Sequence, residues 1–416
     1  MQDLRLAYDT LLNIYQNEAY AALEISKYLR YASNKGFITK IVYGVIEHDI
    51  EFDYYISKLC QKKPDSKIVL VLKMGMYQIK YLDAIPDYAA VSKTVDLAKE
   101  IGKKGVSGFV NAVLKKFISS DIELPKEETK ALSIKYSVPE FIVKEYIASF
   151  GKAKTLDILE RTEFEYEHFR VNLRKTTLEE VIKGLVQNNI YYILSENDSF
   201  FARNDKYMQD LYNCGKVTIQ SVTSMIAALA VCPGENESIL DLCAAPGGKT
   251  VYMSELANCH ITACDIHPHR LELIEAYINR MGAQNIDLVL NDATILNNDF
   301  VEKFDRVLCD VPCSGLGVAH KKPDIYLNMT KDSLKELPEI QYKILDNASK
   351  YLKKDGINLV YSTCTLRQQE NRDVVDRFLK VHKDFELLDD VLYMPDGSGQ
   401  DGYYIALLIR KKWCNC

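Results

Sequence analysis

The chain has 416 residues, 47% of them apolar and 26% charged, which excludes a disordered or collagen-like polypeptide. At ~100–200 residues per domain it predicts two or three domains. A formal charge of −6 excludes a polybasic protein held to nucleic acid by bulk charge, so any RNA contact must rest on local basic patches.

The start, Met1-Gln2-Asp3-Leu4, is not a basic region followed by an apolar core, so no export signal is read there. Leu4, Ala7, Tyr8, Leu11, Leu12 and Tyr15 recur every three or four residues and predict an amphipathic helix. Further helices are predicted at Gly36–Tyr55, Ile68–Leu82, Ala89–Ile101 and Ser107–Ile118, punctuated by Pro64, Pro86 and Pro125. Lys73 and Lys80 interrupt the apolar run from Ile68 to Leu82 well short of a membrane span. The first 125 residues therefore read as an all-α domain. It carries 17 basic against 15 acidic residues, a net of +2, and the remainder carries −8. Lys99, Lys103, Lys104, Lys115 and Lys116 face only Glu100 in their stretch. A charge run is most often a solvated helix face, so these lysines are candidates for phosphate contacts and no more.

Residues 126–215 mix a helix at Pro139–Phe150, a strand at Phe169–Leu173, a helix at Leu178–Asn188 and a strand at Tyr191–Leu194, predicting a small α+β region. From 216 to 416 strands and helices alternate. Strands are predicted at Ser238–Cys243, His260–Ile266, Ile286–Leu290, Arg306–Cys309 and Ile357–Tyr361. One helix starts near Lys249; another opens at Pro268 and stops at Gly282. The pattern predicts an α/β domain with a mostly parallel sheet covered on both faces, whose ligands bind at the carboxyl ends of the strands.

The turn after the first of these strands reads Asp241-Leu242-Cys243-Ala244-Ala245-Pro246-Gly247-Gly248-Lys249-Thr250. It is not a phosphate-binding P-loop, because Cys243 stands where the first glycine is required and Pro246 lacks an N–H. Acids close four strands in a row, at Asp241, Asp265, Asp292 and Asp310. A single such acid is often a helix cap. Four together suit a cofactor presenting ribose hydroxyls, an adenine amine and a sulfonium cation.

Two cysteines also follow strands, in Asp310-Val311-Pro312-Cys313-Ser314-Gly315 and Ser362-Thr363-Cys364-Thr365. Carbon 5 of a pyrimidine becomes nucleophilic only after a thiolate attacks carbon 6. An acid near N3 would steady the charge that attack creates, and a second polar group would assist release. Asp310, Cys313 and Cys364 supply those parts. Cys60, Cys214, Cys232, Cys259, Cys264 and Cys309 read instead as small buried hydrophobes. Cys414 and Cys416 make a poor metal site, and no metal is expected. Eleven scattered cysteines, an odd count, fit a reducing, cytoplasmic setting.

At these residues the chain resembles the RNA cytosine-5 methyltransferases of the Fmu/Sun type, with Phe169-Arg170-Val171-Asn172, Gln220-Ser221 and Asp401-Gly402-Tyr403-Tyr404 adding to the match. The helical third resembles a NusB-type RNA-binding domain through Val42-Tyr43-Gly44-Val45, Tyr77-Gln78, Ile85–Val91 and Gly108–Leu114. The resemblance implies a Rossmann-like class I methyltransferase domain using S-adenosylmethionine. The cofactor would be held by Cys243, Ala244, Ala245, Pro246, Gly247, Gly248, Lys249, Asp265, Asp292 and Asp310. Cys364 falls where the family's nucleophile sits, and Cys313 where its release thiol sits. With the NusB-like domain, the resemblance implies methylation of 16S rRNA at cytosine 967. A monomer is expected, because no exposed heptad or edge motif stands out in the sequence. Phosphate contacts are expected from Lys103, Lys104, Lys115, Lys116, Arg170, Lys321 and Lys322. Departures are Thr365 in place of a common serine, Gln368-Gln369-Glu370-Asn371 in place of a more acidic run, and Lys321-Lys322-Pro323-Asp324 in place of an arginine-rich one. Two other readings stay open: the same chemistry on tRNA or 23S rRNA, and a non-catalytic NusB-type antitermination factor. The latter has no need of two strand-end thiols and four strand-end acids.

Overall fold

The computed structural model describes residues 2–17, 19–102, 105–160, 165–396 and 399–411. They fall into two compact units: one ends at Glu160 and takes in Ala319–Thr330, and the other holds the rest.

The first unit is helical, with α1 (Gln2–Asn17), α2 (Ala21–Leu29), α3 (Lys35–Glu47), α4 (Asp49–Leu59), α5 (Ser66–Tyr81), α6 (Asp87–Ile101), α7 (Val106–Ser119), α8 (Glu128–Tyr136) and α9 (Glu140–Leu159). The apolar stripe of α1 buries Leu4, Ala7, Tyr8, Leu11 and Ile14, as its spacing predicts. The predicted helix at Gly36–Tyr55 is two helices, because the backbone of His48 leaves helical geometry between α3 and α4. α5 is buried almost all round, the mark of a bundle's central helix. Gly44 of α3 is needed at its position, since a Cβ there would lie 1.9 Å from the Tyr77 ring of α5. Lys73, buried in α5, pairs with Asp49 (2.5 Å) and Asp53 (2.8 Å) of α4. Among the described residues no helix is long and apolar enough to cross a membrane.

The stretch Ala319–Thr330 completes this unit: Leu327 packs on its core, and Asp324 Oδ2 accepts the Ala21 N–H at 3.0 Å. That N–H opens α2, whose N-cap Tyr20 makes no side-chain cap bond, so a carboxylate far along the chain satisfies an orphan donor and complements the helix dipole.

The second unit begins with a four-stranded antiparallel sheet of β1 (Glu167–Val171), β2 (Tyr192–Ser195), β3 (Ser199–Ala202) and β4 (Val217–Ile219), in the order β2-β3-β1-β4. Phe169, Val171, Phe200 and Val217 pack on Val181 and Leu185 of α10 (Leu178–Gln187) and on Met208 and Leu211 of α11 (Lys206–Asn213). After α12 (Val222–Val231) comes the larger sheet. Its strands are β5 (Ser238–Asp241), β6 (His260–Asp265), β7 (Ile286–Leu290), β8 (Arg306–Asp310), β9 (Asn358–Thr363), β10 (Phe385–Tyr393) and β11 (Tyr403–Arg410), in the order β10-β11-β9-β8-β5-β6-β7. The five strands from β9 to β7 are parallel. The β10–β11 hairpin runs antiparallel and was not apparent in the sequence. Its helices are α13 (Gly248–Leu256), α14 (Pro268–Met281), α15 (Lys331–Tyr351) and α16 (Arg372–Val381). Val307 and Cys309 pack beneath α15 and α16, whereas Leu308 faces Met225 and Met253 of α12 and α13. Both faces are covered, so the central strands read as continuous apolar runs. The chain runs outward through β5, β6 and β7 and returns on the other side of β5. The sheet therefore changes direction between β5 and β8, where α/β folds open their ligand crevice.

Candidate active site

Asp241 ends β5 at this reversal, fully buried, with Oδ2 accepting the Thr250 hydroxyl of α13 at 2.7 Å. Burial pushes its pKa up to about 7 against the hydrogen bond from Thr250, and the charge of Asp310 pushes the same way. It is a support beneath the turn. The turn itself is fastened by Ala244 N–H to Cys264 C=O (2.8 Å) and Gly247 N–H to Ala244 C=O (2.8 Å). Gly247 has φ +106, a left-handed value that only glycine takes without strain, and it swings the chain into α13. Ala244 and Gly247 are buried, Cys243, Ala245, Gly248 and Lys249 are half-buried, and Pro246 is exposed.

Along the next strand ends, Asp265 Oδ1 accepts the His267 N–H (3.0 Å) and Oδ2 lies 3.8 Å from Arg270. Asp292 Oδ1 accepts both the N–H (2.9 Å) and hydroxyl (2.6 Å) of Thr294. Beside it the buried Nδ2 of Asn291 has no hydrogen-bond partner. A row of acids, an orphaned amide donor and a glycine turn fit a cofactor bearing a ribose and an aromatic amine.

Asp310, at the end of β8, is gripped by three side chains. Lys249 Nζ reaches Oδ2 at 2.6 Å, Ser362 donates to Oδ1 at 2.8 Å, and the Tyr403 hydroxyl donates to Oδ1 as well. Asp310 pairs with Ser362 in the β8–β9 register, and β11 lies antiparallel to β9, which brings Tyr403 alongside. Burial pulls the Lys249 ammonium down, yet the charge and hydrogen bond of Asp310, with Asp241 beyond, hold it above its ordinary value. Burial and Asp310 push Tyr403 up, so its hydroxyl stays a donor. Tyr403 stood in a matched motif with no role read from it, and the ammonium of Lys249, assigned to the cofactor turn, engages Asp310.

The two strand-end thiols come together: Cys313 Sγ and Cys364 Sγ are 3.3 Å apart, both half-buried. Their loops are tied by Ser314 Oγ to Thr365 Oγ1 (2.7 Å), Gly317 N–H to Cys364 C=O (2.9 Å) and Gly402 N–H to Gly317 C=O (2.8 Å). The hydrogen bond with Cys364, then burial, pushes the Cys313 thiol well above its ordinary value, and the charge of Glu370 adds to this.

Arg170 corrects a sequence expectation. It is fully buried, with Nε on Gln220 (2.9 Å), Nη1 on Glu255 and its guanidinium 4.4 Å above the Tyr252 ring, so it is a structural ion pair and presents nothing to a phosphate. Lys115, Lys116, Lys321 and Lys322 are exposed; Lys103 and Lys104 lie outside the described residues. Cys259, Cys264 and Cys309 are buried, and burial pushes Cys264 up to about 12. Cys214 and Cys232 are exposed and Cys60 half-buried, contrary to the expectation that all six are interior. Cys414 and Cys416 lie outside the described residues. Among the described residues no group of three or more His, Cys, Asp or Glu could hold a metal ion.

Comparison with known proteins adds a second line. Residues 228–409 match the family described as 16S rRNA methyltransferase RsmB/F, and residues 1–119 match the NusB family. The chain is 32% identical to the probable ribosomal RNA small subunit methyltransferase B of Bacillus subtilis, with 98% of each chain covered. It is 31% identical to the protein of the same name in Synechocystis sp., covering 97% of this chain and 98% of that one. Among solved structures its fold is similar to that of PH0851, with a TM-score of 0.84 at 22% identity over 98% of each chain. It is also similar to NSun6 from Pyrococcus horikoshii, solved with SFG: TM-score 0.59, 22% identity, 66% of this chain and 98% of that one.

Proposed function

Since the chain belongs to the ribosomal RNA small subunit methyltransferase B family, we propose that it methylates carbon 5 of a cytosine in 16S rRNA, cytosine 967 by the family resemblance, with S-adenosylmethionine as donor. The observation that carries the chemistry is the cluster at the β8 and β9 ends: two thiols 3.3 Å apart beside a carboxylate gripped by Lys249, Ser362 and Tyr403. An N- or O-methyltransferase needs no thiol at all.

In this reading the target base is turned out of its RNA into the pocket. Cys364 adds to carbon 6 as a thiolate, and the electron pair that develops at N3 is met by a proton delivered through the Asp310 carboxyl group. The proton for N3 comes from Lys249 across its 2.6 Å hydrogen bond to Asp310. Ser362 and Tyr403 keep the carboxylate from rotating. The cofactor supplies an electrophilic methyl group on a sulfonium, held by Cys243–Gly248, Asp265 and Asp292. Loss of the carbon 5 proton to solvent water then expels Cys364 as a thiolate, N3 returns its proton through Asp310 to Lys249, and the Cys313 S–H is placed to hydrogen-bond to the departing sulfur. Exposed Lys115, Lys116, Lys321 and Lys322 contact phosphates. The enzyme acts as a cytoplasmic monomer.

The test is transfer of labelled methyl from S-adenosylmethionine to naked 16S rRNA, 23S rRNA and tRNA, comparing wild type with Cys364→Ala. Label as 5-methylcytosine in 16S rRNA alone, lost in the variant, is expected. Full activity in Cys364→Ala overturns the nucleophile; label only in tRNA or 23S rRNA overturns the substrate.

A further inference from the structure

We propose that Glu370 is a positioning residue for product release, holding Cys313 as a thiol donor turned toward Cys364. The inference rests on the covalent route proposed above. Glu370 lies in the short 3-10 turn Gln368–Glu370 that follows the Cys364 loop, and it is completely buried. A buried carboxylate is costly unless donors surround it. Here Oε2 accepts the Ser314 N–H (2.9 Å) and Gln341 Nε2 (2.9 Å), and Oε1 accepts Arg367 Nη1 (3.0 Å). Gln341 Nε2 also donates to the Pro312 carbonyl at 3.0 Å.

The two peptide groups on either side of Cys313, the Pro312 C=O and the Ser314 N–H, are thus both fixed by one carboxylate–amide pair. Glu370 is in turn anchored: Tyr361 OH donates to its carbonyl (2.5 Å), and Arg367 also reaches the Leu334 carbonyl (3.1 Å). Asn371, the next residue, binds the Thr365 carbonyl (3.0 Å) and the Thr363 hydroxyl (2.5 Å) on both sides of Cys364. One turn therefore sets the geometry of both thiol loops. An apolar residue of the same size would fill the space equally well. What the carboxylate adds is a fixed acceptor for the Ser314 N–H and a negative charge that disfavours a thiolate at Cys313. The two sulfurs are chemically identical and 3.3 Å apart, so something must distinguish the one that attacks from the one that assists.

The experiment follows the covalent protein–RNA species that survives denaturing electrophoresis, together with methylated RNA released over many turnovers, using 16S rRNA and S-adenosylmethionine. Cys313→Ala is the reference: impaired release should trap the adduct. Glu370→Gln is expected to trap it too, although Cys313 is present, with multiple-turnover product down at least ~10-fold and the first turnover slowed only ~3-fold or less. Gln341→Met, which removes the donor to Pro312 and leaves the charge, should shift the same way by less, and it decides the matter if Glu370→Gln shows no cooperative melting. Adduct and product falling in parallel in Glu370→Gln would mark a merely structural role and overturn the proposal, as would wild-type behaviour of both variants. No adduct in Cys313→Ala would instead overturn the release scheme itself, and this inference with it.

Discussion

The molecule contains two carboxylates gripped by lysine and tyrosine side chains, one buried and one half-buried. In the helical unit Glu51 accepts hydrogen bonds from Tyr55 (2.8 Å), Lys80 (2.5 Å) and Tyr81 (2.6 Å), with His48 Nδ1 at 3.2 Å. In the catalytic sheet Asp310 accepts from Lys249, Tyr403 and Ser362. The difference lies in the surroundings. Glu51 is 4% exposed, and the His48 ring stacked on Tyr81 at 3.9 Å helps to close it over. Asp310 stands at the open ends of the strands, three residues before Cys313, whose thiol faces a second thiol. The same lysine–tyrosine grip on an acid locks helices together in one unit and, in the reaction proposed above, holds a carboxylate ready at a strand end in the other.

That contrast can be broken from either side. The largest expected effect is Asp310→Asn: methyl transfer should fall by ~10³-fold or more, while the melting temperature moves by only a few degrees. Glu51→Gln should do the reverse, costing about 2–4 kcal/mol of stability in urea titrations with the rate per folded molecule kept. Acid sharpens the point. Burial alone would raise the Glu51 carboxyl, but the hydrogen bonds from His48, Lys80 and Tyr81 outweigh it and hold the pKa near 2 against an ordinary 4.5. A depressed folded-state pKa means stability that is complete above pH 4.5 and lost as pH falls from there toward 2, about 3 kcal/mol in all. Glu51→Gln should flatten that slope. Arg170→Met, which strands Glu255, should cost about 3 kcal/mol while leaving the salt dependence of RNA binding as it was. The smallest effect is expected from Lys115→Ala with Lys116→Ala, where the slope of log affinity against log salt should drop by ~1.5–2.

Much of the catalytic sheet was legible because each strand is a short apolar run closed by an acid or a thiol, and β7 was read to the residue. The site's wiring was not. Lys249 and Asp310 are 61 residues apart and Tyr403 and Asp310 are 93 apart. Those pairings depend on strand order and on the antiparallel return of β11, neither of which leaves a local pattern. Arg170 misleads for a related reason: it alternates with Phe169 and Val171 along β1, and what it meets on its own face, Gln220 and Glu255, is visible only once the chain has folded back. His48 shows the same limit in the helical unit, since periodicity continues smoothly across a break made by the backbone.

The carboxylate of Asp324 that caps α2 belongs to residues made 303 positions after the N–H it receives. At ~5–20 residues per second a ribosome needs about 15–60 s to cover that distance. Through that interval α2 lacks its cap and the core of the helical unit lacks Leu327, so the domain that is synthesised first is among the last to be finished.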